Sequence, residues 1–213
     1  SLCSRGLQSL GERDGAFREY VAHPAKMCFK LRPNMSTLEG ALSEPLSVGL
    51  YAVEKSGAKL GQSAVIFGTG CIGLVTLLVL KAVGVSDITV VDIAQKRLDK
   101  ALELGARRII RGDQQDAVAA LMADGGCDLV FDAAGSPVTA LQATKVVASN
   151  GVVVMVGMAA NPEIKLDMGT MAAREARLET IFRYRNHYPT AIASVASGVI
   201  PLAKIASHVF PFS

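Results

Sequence analysis

Residues 63–73 read Ser63-Ala-Val-Ile-Phe67-Gly68-Thr69-Gly70-Cys71-Ile72-Gly73, a short buried-strand pattern running into a G-x-G-x-x-G turn. The residues after the turn, Cys71 to Val83, form a helix that is apolar nearly all round. That strand-turn-helix context gives the glycine spacing its meaning, because glycines also punctuate ordinary βα turns. Gly68 permits the tight turn, Gly70 lets backbone approach a pyrophosphate with no Cβ in the way, and Gly73 lets the helix lie close to the sheet. Free N–H groups at the helix start, with the positive end of its dipole, face the phosphates.

A second element agrees. Asp87-Ile-Thr-Val-Val-Asp92 is the next strand, and Asp92 stands nineteen positions beyond Gly73 at its carboxyl end. There a carboxylate accepts hydrogen bonds from the adenosine ribose hydroxyls, and a 2′-phosphate meets like charge. The expected cofactor is therefore NAD in preference to NADP, with Lys96 and Arg97 close enough to soften the preference. Arg97 reads equally well as a residue packed along the adenine or as a solvated helix residue.

Outward from this turn, β-branched runs alternate with helical stretches. An amphipathic helix over Ala94 to Leu104 turns Leu98, Ala101, Leu102 and Gly105 inward. A strand at Arg107 to Arg111, a helix near Asp113 to Ala123, a strand at Asp128 to Asp132, a helix at Val138 to Ala148 and a strand at Gly151 to Val156 follow. A last strand is expected at Leu178 to Phe182. Continuous apolar strands suit a parallel sheet covered on both faces, and right-handed crossovers make it a doubly wound α/β (Rossmann) sheet. Asp132-Ala133-Ala-Gly135 and Val156-Gly157-Met158 fall past the fourth and fifth strands, where small residues let the nicotinamide half pass, or where strands simply end in turns.

The ends differ. Residues 1 to about 43 show no clear helix and one strand-like piece, Phe17 to Val21. Residues 183 to 213 yield one amphipathic helix, Tyr188 to Ser197, and a proline-punctuated tail. The expected division is 1–43 and 183–213 as remnants of a second, mostly β catalytic domain, with 44–182 as the nucleotide-binding domain.

Composition narrows the classes. Half of the 213 residues are hydrophobic, 19% are charged, and the net charge is +3. Lys and Arg are scattered among acids, so no basic stripe tracks phosphates and nucleic acid is not an expected partner. Leu74 to Val83 is too short to span a bilayer, and no secretory signal opens the chain. Cys3, Cys28, Cys71 and Cys127 form no CxxC pair and read as free thiols of a cytoplasmic protein. His23, His187 and His208 match no metal motif and read as surface or packing residues.

With these motifs in order, the chain resembles the zinc-dependent medium-chain dehydrogenases, and within them the polyol branch of sorbitol and xylitol dehydrogenases. The resemblance runs over essentially the whole chain. Its telling pieces are Gly40-Ala-Leu-Ser-Glu44-Pro-Leu-Ser-Val-Gly49, the glycine turn with Ile72, Asp92 followed by Arg97, and Arg174-Glu175 leading into Phe182-Arg183-Tyr184. In such enzymes a zinc-bound polyol hydroxyl loses its proton and passes a hydride to NAD. The resemblance implies Glu44 as the carboxylate beside the metal, and Arg183 and Tyr184 near the nicotinamide and the substrate hydroxyls. It places Cys71, Ile72, Ala133, Val156, Gly157, Met158, Ile181, Phe182 and Arg183 against the cofactor, with Asp92 and Arg97 on the adenosine. Two residues keep bland alternatives: Glu44, preceding proline, as a helix-start cap, and Arg183 as a structural ion-pair partner.

The resemblance also implies a homo-oligomer, dimeric or tetrameric, associating through the edge strand Leu178 to Phe182. The family's remaining zinc ligands come from a preceding region that this sequence lacks. The chain by itself is therefore expected to bind NAD without turning over polyols. Alternatives are a threonine- or aryl-alcohol-type relative of the same superfamily and a non-catalytic NAD-sensing module.

Overall fold

A computed structural model describes residues 18–161 and 163–211. Its centre is a six-stranded, all-parallel sheet in the order β3-β2-β1-β4-β5-β6. The strands are β1 (Ser63–Phe67), β2 (Asp87–Asp92), β3 (Arg108–Arg111), β4 (Cys127–Asp132), β5 (Val147–Met155) and β6 (Arg177–Thr180). The order in which strands are added reverses between β1 and β4, the switch point where a crevice opens at the carboxyl ends of strands.

The strands read as unbroken apolar runs, yet the pleat sends neighbours to opposite cores. Ala64, Ile66, Ile88, Val90, Leu129, Phe131, Val152 and Val154 belong to one core. Val65, Phe67, Val91, Ile110, Val130 and Val153 belong to the other. The first is covered by α1 (Thr37–Ser56), α2 (Cys71–Ala82), α3 (Gln95–Glu103) and α7 (Tyr188–Ala196); the second by α4 (Ala117–Met122), α5 (Pro137–Val146) and α6 (Met168–Ala173). Burying both faces is what lets a sheet of Val, Ile and Phe exist in water.

The largest departure from the sequence reading is α1, which begins inside the stretch read as helix-free. Ser36 caps it in a reciprocal box: its Oγ accepts from the Glu39 N–H, and Glu39 Oε2 accepts from the Ser36 N–H at 2.8 Å. Gly57, with φ of +69°, ends it in the left-handed conformation. The boundary expected at residue 44 falls inside this helix. Leu46, Ala52 and Val53 enter the first core, and a Cβ on Gly49 would lie 3.1 Å from the backbone of Val75, so α1 and α2 pack nearly backbone to backbone.

The carboxy-terminal stretch likewise joins this core: Ala191, Val195, Ile200 and Leu202 are buried in it. His187 pins α7 to α1. Its Nδ1 accepts from the Arg185 N–H, so Nε2 carries the hydrogen and donates to Glu54 at 2.6 Å.

Smaller differences have local causes. Asp116 caps α4 through the Ala119 N–H, which delays that helix past the expected Asp113. Leu102 of α3 is exposed and Leu104 is buried in its place. The β5 strand starts earlier than expected, with Asn150 at φ of +59° and a register shift opposite Cys127 and Leu129. Strand β6 stops at Thr180, leaving Ile181 and Phe182 beyond it. Arg18 to Val21 form no strand, while Phe17 and Cys3 lie outside the described residues. No helix among the described residues is long and apolar enough to cross a membrane.

Candidate functional site

The parallel register brings the carboxyl ends of β1, β2 and β4 together, with Phe67 opposite Val91 on one side and Asp132 on the other. The glycine turn leaves β1 here, and each glycine has a different steric reason. Gly68 takes φ of +91° and lies so close to Ala134 that an added Cβ would meet its backbone nitrogen at 2.8 Å. At Gly73 a Cβ would lie 1.9 Å from the Gly68 carbonyl oxygen, so only glycine lets α2 start directly against the turn. Gly70 is the opposite case: nothing lies within 4 Å of where its Cβ would be. It is also the N-cap of α2 and supplies no capping side chain. The first-turn N–H groups of a twelve-residue helix, Cys71, Ile72 and Gly73 among them, thus lack a capping side chain.

Beside this turn is a cavity of about 450 Å³, lined among others by Gly68, Gly70, Asp92, Arg97, Gly112, Ala133, Ser136 and Gln142. Its size is that of a small-molecule site. Asp92 lines it but is not free. Its Oδ2 accepts from the Thr69 N–H at 2.7 Å and the Thr69 hydroxyl at 2.9 Å, and its Oδ1 from the Ala94 N–H at 2.9 Å. Burial works against its charge, but those hydrogen bonds and Arg97 outweigh it and hold the carboxyl below the usual carboxylate range. The Arg97 guanidinium stands 4.0 Å from Oδ2 with its side chain 61% exposed, at the cavity rim.

Asp132 is the counterpart on β4, fully buried. Its Oδ1 accepts from the N–H groups of Ala134 and Gly135 at 3.1 and 3.3 Å, ordering the loop that closes over Gly68. Its Oδ2 has no hydrogen-bond partner among the described residues. Burial raises its pKa above the usual range, against the opposing pull of the nearby Thr139 hydroxyl and the two amides. Gly157 touches this loop: a Cβ there would strike the Gly135 nitrogen at 2.3 Å. Val156 and Gly157 both donate their N–H to the Asp132 carbonyl, which leaves Met158 77% exposed beside them.

The other expected group lies near the start of α2. Glu44 is exposed and sits two turns into α1, not in its first turn, so the helix-start alternative is corrected: Ser36 does the capping. Pro45 follows inside the helix, where the carbonyl its missing N–H would have bonded is that of Ala41. The Tyr184 hydroxyl lies beside the Glu44 carboxylate and donates to the Tyr188 hydroxyl at 3.4 Å. Burial, Tyr188 and Glu44 together push the Tyr184 phenol well above its ordinary pKa, so it stays a donor. Burial and then Glu44 likewise raise the Cys71 thiol, keeping it protonated. Tyr188 stacks on Phe29 with ring centroids 5.0 Å apart and meets Tyr184 edge-on at 5.5 Å. Arg183 takes φ of +57°, is exposed, and lays its guanidinium 5.4 Å from the Phe182 ring centre. No carboxylate among the described residues forms an ion pair with it.

Residues 71–197, more than half of the chain, match the family model described as zinc-binding dehydrogenase. The chain belongs to that family. Among its relatives, a zinc-type alcohol dehydrogenase-like protein of Escherichia coli (strain K12) is 38% identical over 93% of this chain and 57% of its own length. Sorbitol dehydrogenase of Rattus norvegicus is 34% identical over the same shares of the two chains. The chain thus spans little more than half the length of these relatives. A zinc-binding dehydrogenase from Sinorhizobium meliloti 1021 bound to NADP superposes with a TM-score of 0.84 at 30% identity, covering 88% of this chain and 57% of that one. An alcohol dehydrogenase from E. coli CFT073 complexed with NADH superposes with a TM-score of 0.88 at 26% identity, covering 93% and 59%.

Two parts of the crevice are not among the residues expected from the sequence. Thr69, the first x of the glycine motif, has no place in the motif's steric logic, yet its hydroxyl donates to the acid at the end of β2. Ser136 and Thr139 line the cavity as a second capping box at the start of α5, a signal legible in Ser136-Pro-Val-Thr139. For zinc the residues do not fit: no group of three His, Cys, Asp or Glu comes together among the described residues.

Proposed function

We propose that this chain holds NAD across the crevice at the carboxyl ends of β1, β2 and β4, and is the nucleotide-binding part of a polyol dehydrogenase that oxidises a sugar alcohol to a ketose. The observation that carries this reading is the glycine turn: open space at Gly70, contact at Gly68 and Gly73, and an uncapped helix start beside a cavity lined by Asp92. The α2 amides are suited to the pyrophosphate. Asp92 and Arg97 are assigned to the adenosine, and Ala133, Val156 to Met158 and Ile181 to Arg183 to the nicotinamide half. The anionic Asp92 favours NAD over NADP, while the two superposed relatives contain NADH and NADP respectively. Bound NAD supplies the hydride acceptor.

The chain's own contribution to the chemistry is orientation. Tyr184, kept protonated, turns its one O–H from Tyr188 to a substrate hydroxyl, the neighbouring Glu44 carboxylate accepts from another, and the exposed Arg183 borders the same space. The polyol class is supported by the likeness to sorbitol dehydrogenase and to D-xylulose reductase of Morganella morganii. Zinc would be held mainly by residues outside this chain, with Glu44 beside it. Unbridged Cys28, Cys71 and Cys127 fit a cytoplasmic setting, and the outer edge of β6, unpaired among the described residues, fits self-association.

The test is calorimetric titration of NAD into the chain, together with assays of the complete protein on sorbitol, xylitol and simple alcohols. Binding to the chain and polyol turnover by the complete protein are expected. Binding without turnover of any alcohol by the complete protein would make it a nucleotide sensor, and no binding would dismiss the site.

A further inference from the structure

We propose that Thr69 is a specificity-determining residue for the nucleotide: its hydroxyl holds the Asp92 carboxylate in one orientation, presenting a fixed anion that takes a ribose hydroxyl and rejects a 2′-phosphate. This rests on reading the crevice as the NAD site.

The turn itself does not need a hydroxyl at position 69. The backbone N–H by itself already ties the loop to Asp92 Oδ2 at 2.7 Å. Yet the side chain is 1% exposed, and its hydroxyl donates to the same oxygen at 2.9 Å. An ionised carboxylate offers about four acceptor positions. Three are filled by the protein, two on Oδ2 by Thr69 and one on Oδ1 by Ala94. What remains open on Oδ1 suits a single hydroxyl.

The next donor is Arg97, 4.0 Å from Oδ2 and too long for a hydrogen bond. With the threonine hydroxyl in place, the carboxylate is kept from turning onto that guanidinium. Without it, the carboxylate relaxes toward Arg97 and its charge is neutralised as seen from the cavity. The same motion spoils its alignment with a ribose hydroxyl and removes its opposition to a phosphate. Thr69 therefore acts through Asp92 without lining the cavity itself.

The experiment is titration of NAD and NADP into the full chain carrying Thr69→Val, with Thr69→Ser as the variant that restores the hydroxyl. The expected result is an NAD affinity lower by about tenfold, the scale of one hydrogen bond to a charged group, with NADP unchanged or tighter. Thr69→Ser is expected to stay within about twofold of wild type. The ratio of NAD to NADP affinity is the readout that a merely structural role would not move, since general damage to the turn weakens both nucleotides alike. Thr69→Ala, which introduces no new bulk, repeats the measurement should the valine variant not fold. An unchanged NAD to NADP ratio in a folded hydroxyl-free variant overturns the inference and leaves the NAD site standing. Wild type binding neither nucleotide removes both.

Discussion

The two halves of the crevice are built to different standards. On the adenosine side, the Asp92 carboxylate is clamped by three donors, and the glycine turn packs with no spare space at Gly68 and Gly73. On the substrate side, Glu44, Arg183 and Met158 are exposed, and Tyr184 is placed through other aromatic rings more than through the sheet. The first half is preorganised by contacts within this chain. The second is a set of exposed groups on a helix and a loop. Groups fixed by short backbone contacts hold geometry against solvent, whereas exposed side chains on a helix and a loop need covering before they act in concert.

The strongest way to break this contrast is Gly73→Ala. The new methyl would sit 1.9 Å from the Gly68 carbonyl, so the turn or the helix must move. Overpacking of this kind costs roughly 1–3 kcal/mol, and the displaced amides should lower NAD affinity on the order of 100-fold. Near-normal NAD binding in calorimetry would show that the turn is not the phosphate cradle. Next comes Asp92→Ala, expected to weaken NAD by about tenfold and NADP little, since it removes a ribose acceptor together with a repulsive charge. Equal loss for the two nucleotides would detach Asp92 from the ribose.

Asp92 also leaves a signature in stability. Its folded pKa lies below its unfolded value. Its contribution is therefore complete above the unfolded value, near 4, and disappears as pH falls through the lower, folded one. Denaturant titrations at successive pH values should show wild type losing more stability than Asp92→Asn across that acidic window. Parallel curves would mean that the clamp around Asp92 holds no net free energy.

The substrate half is sharpened by Glu44→Gln in the complete protein. Turnover is expected to fall by about 10- to 100-fold, the range for residues that support a metal site, with NAD affinity little changed. A parallel loss of NAD binding would mean that the two halves are not separable.

How much of this was legible follows from the range of the interactions. All six strands and the glycine turn are legible because each rests on local pattern: β-branched runs, glycine at a strand end, an acid one strand later; only strand bounds differ. The first strand and Asp87–Asp92 match to the residue. Helix α1 is hidden in the sequence because its polar face and Pro45 blur the period, although Ser36-Thr-Leu-Glu39 is a capping signature in plain view. The proximity of Glu44 to Tyr184 joins segments well over a hundred positions apart, and nothing local encodes it; only the family resemblance put both residues at one site. Leu102 and Leu104 were exchanged because the last turn of α3 unwinds, with the Gly105 N–H bonding to the Leu102 carbonyl.

The smallest expected effect tests whether α1 acts as one rigid arm between its cap and Glu44. Ser36→Ala removes the hydroxyl that accepts from Glu39, a loss of about 1 kcal/mol for a helix N-cap. The damage should stay local, because Leu46, Ser47, Ala52 and Val53 anchor the helix beyond its second turn, each no more than 4% exposed. For a chain of this size that corresponds to a melting temperature lower by about 2–4 °C, with NAD affinity unchanged. If the complete protein also keeps its turnover, the arm is held by its buried face and the cap only trims the fraying of its first turn. If turnover falls as it does in Glu44→Gln, the position of the carboxylate depends on the cap two turns away, and the substrate half is looser than its buried anchors imply.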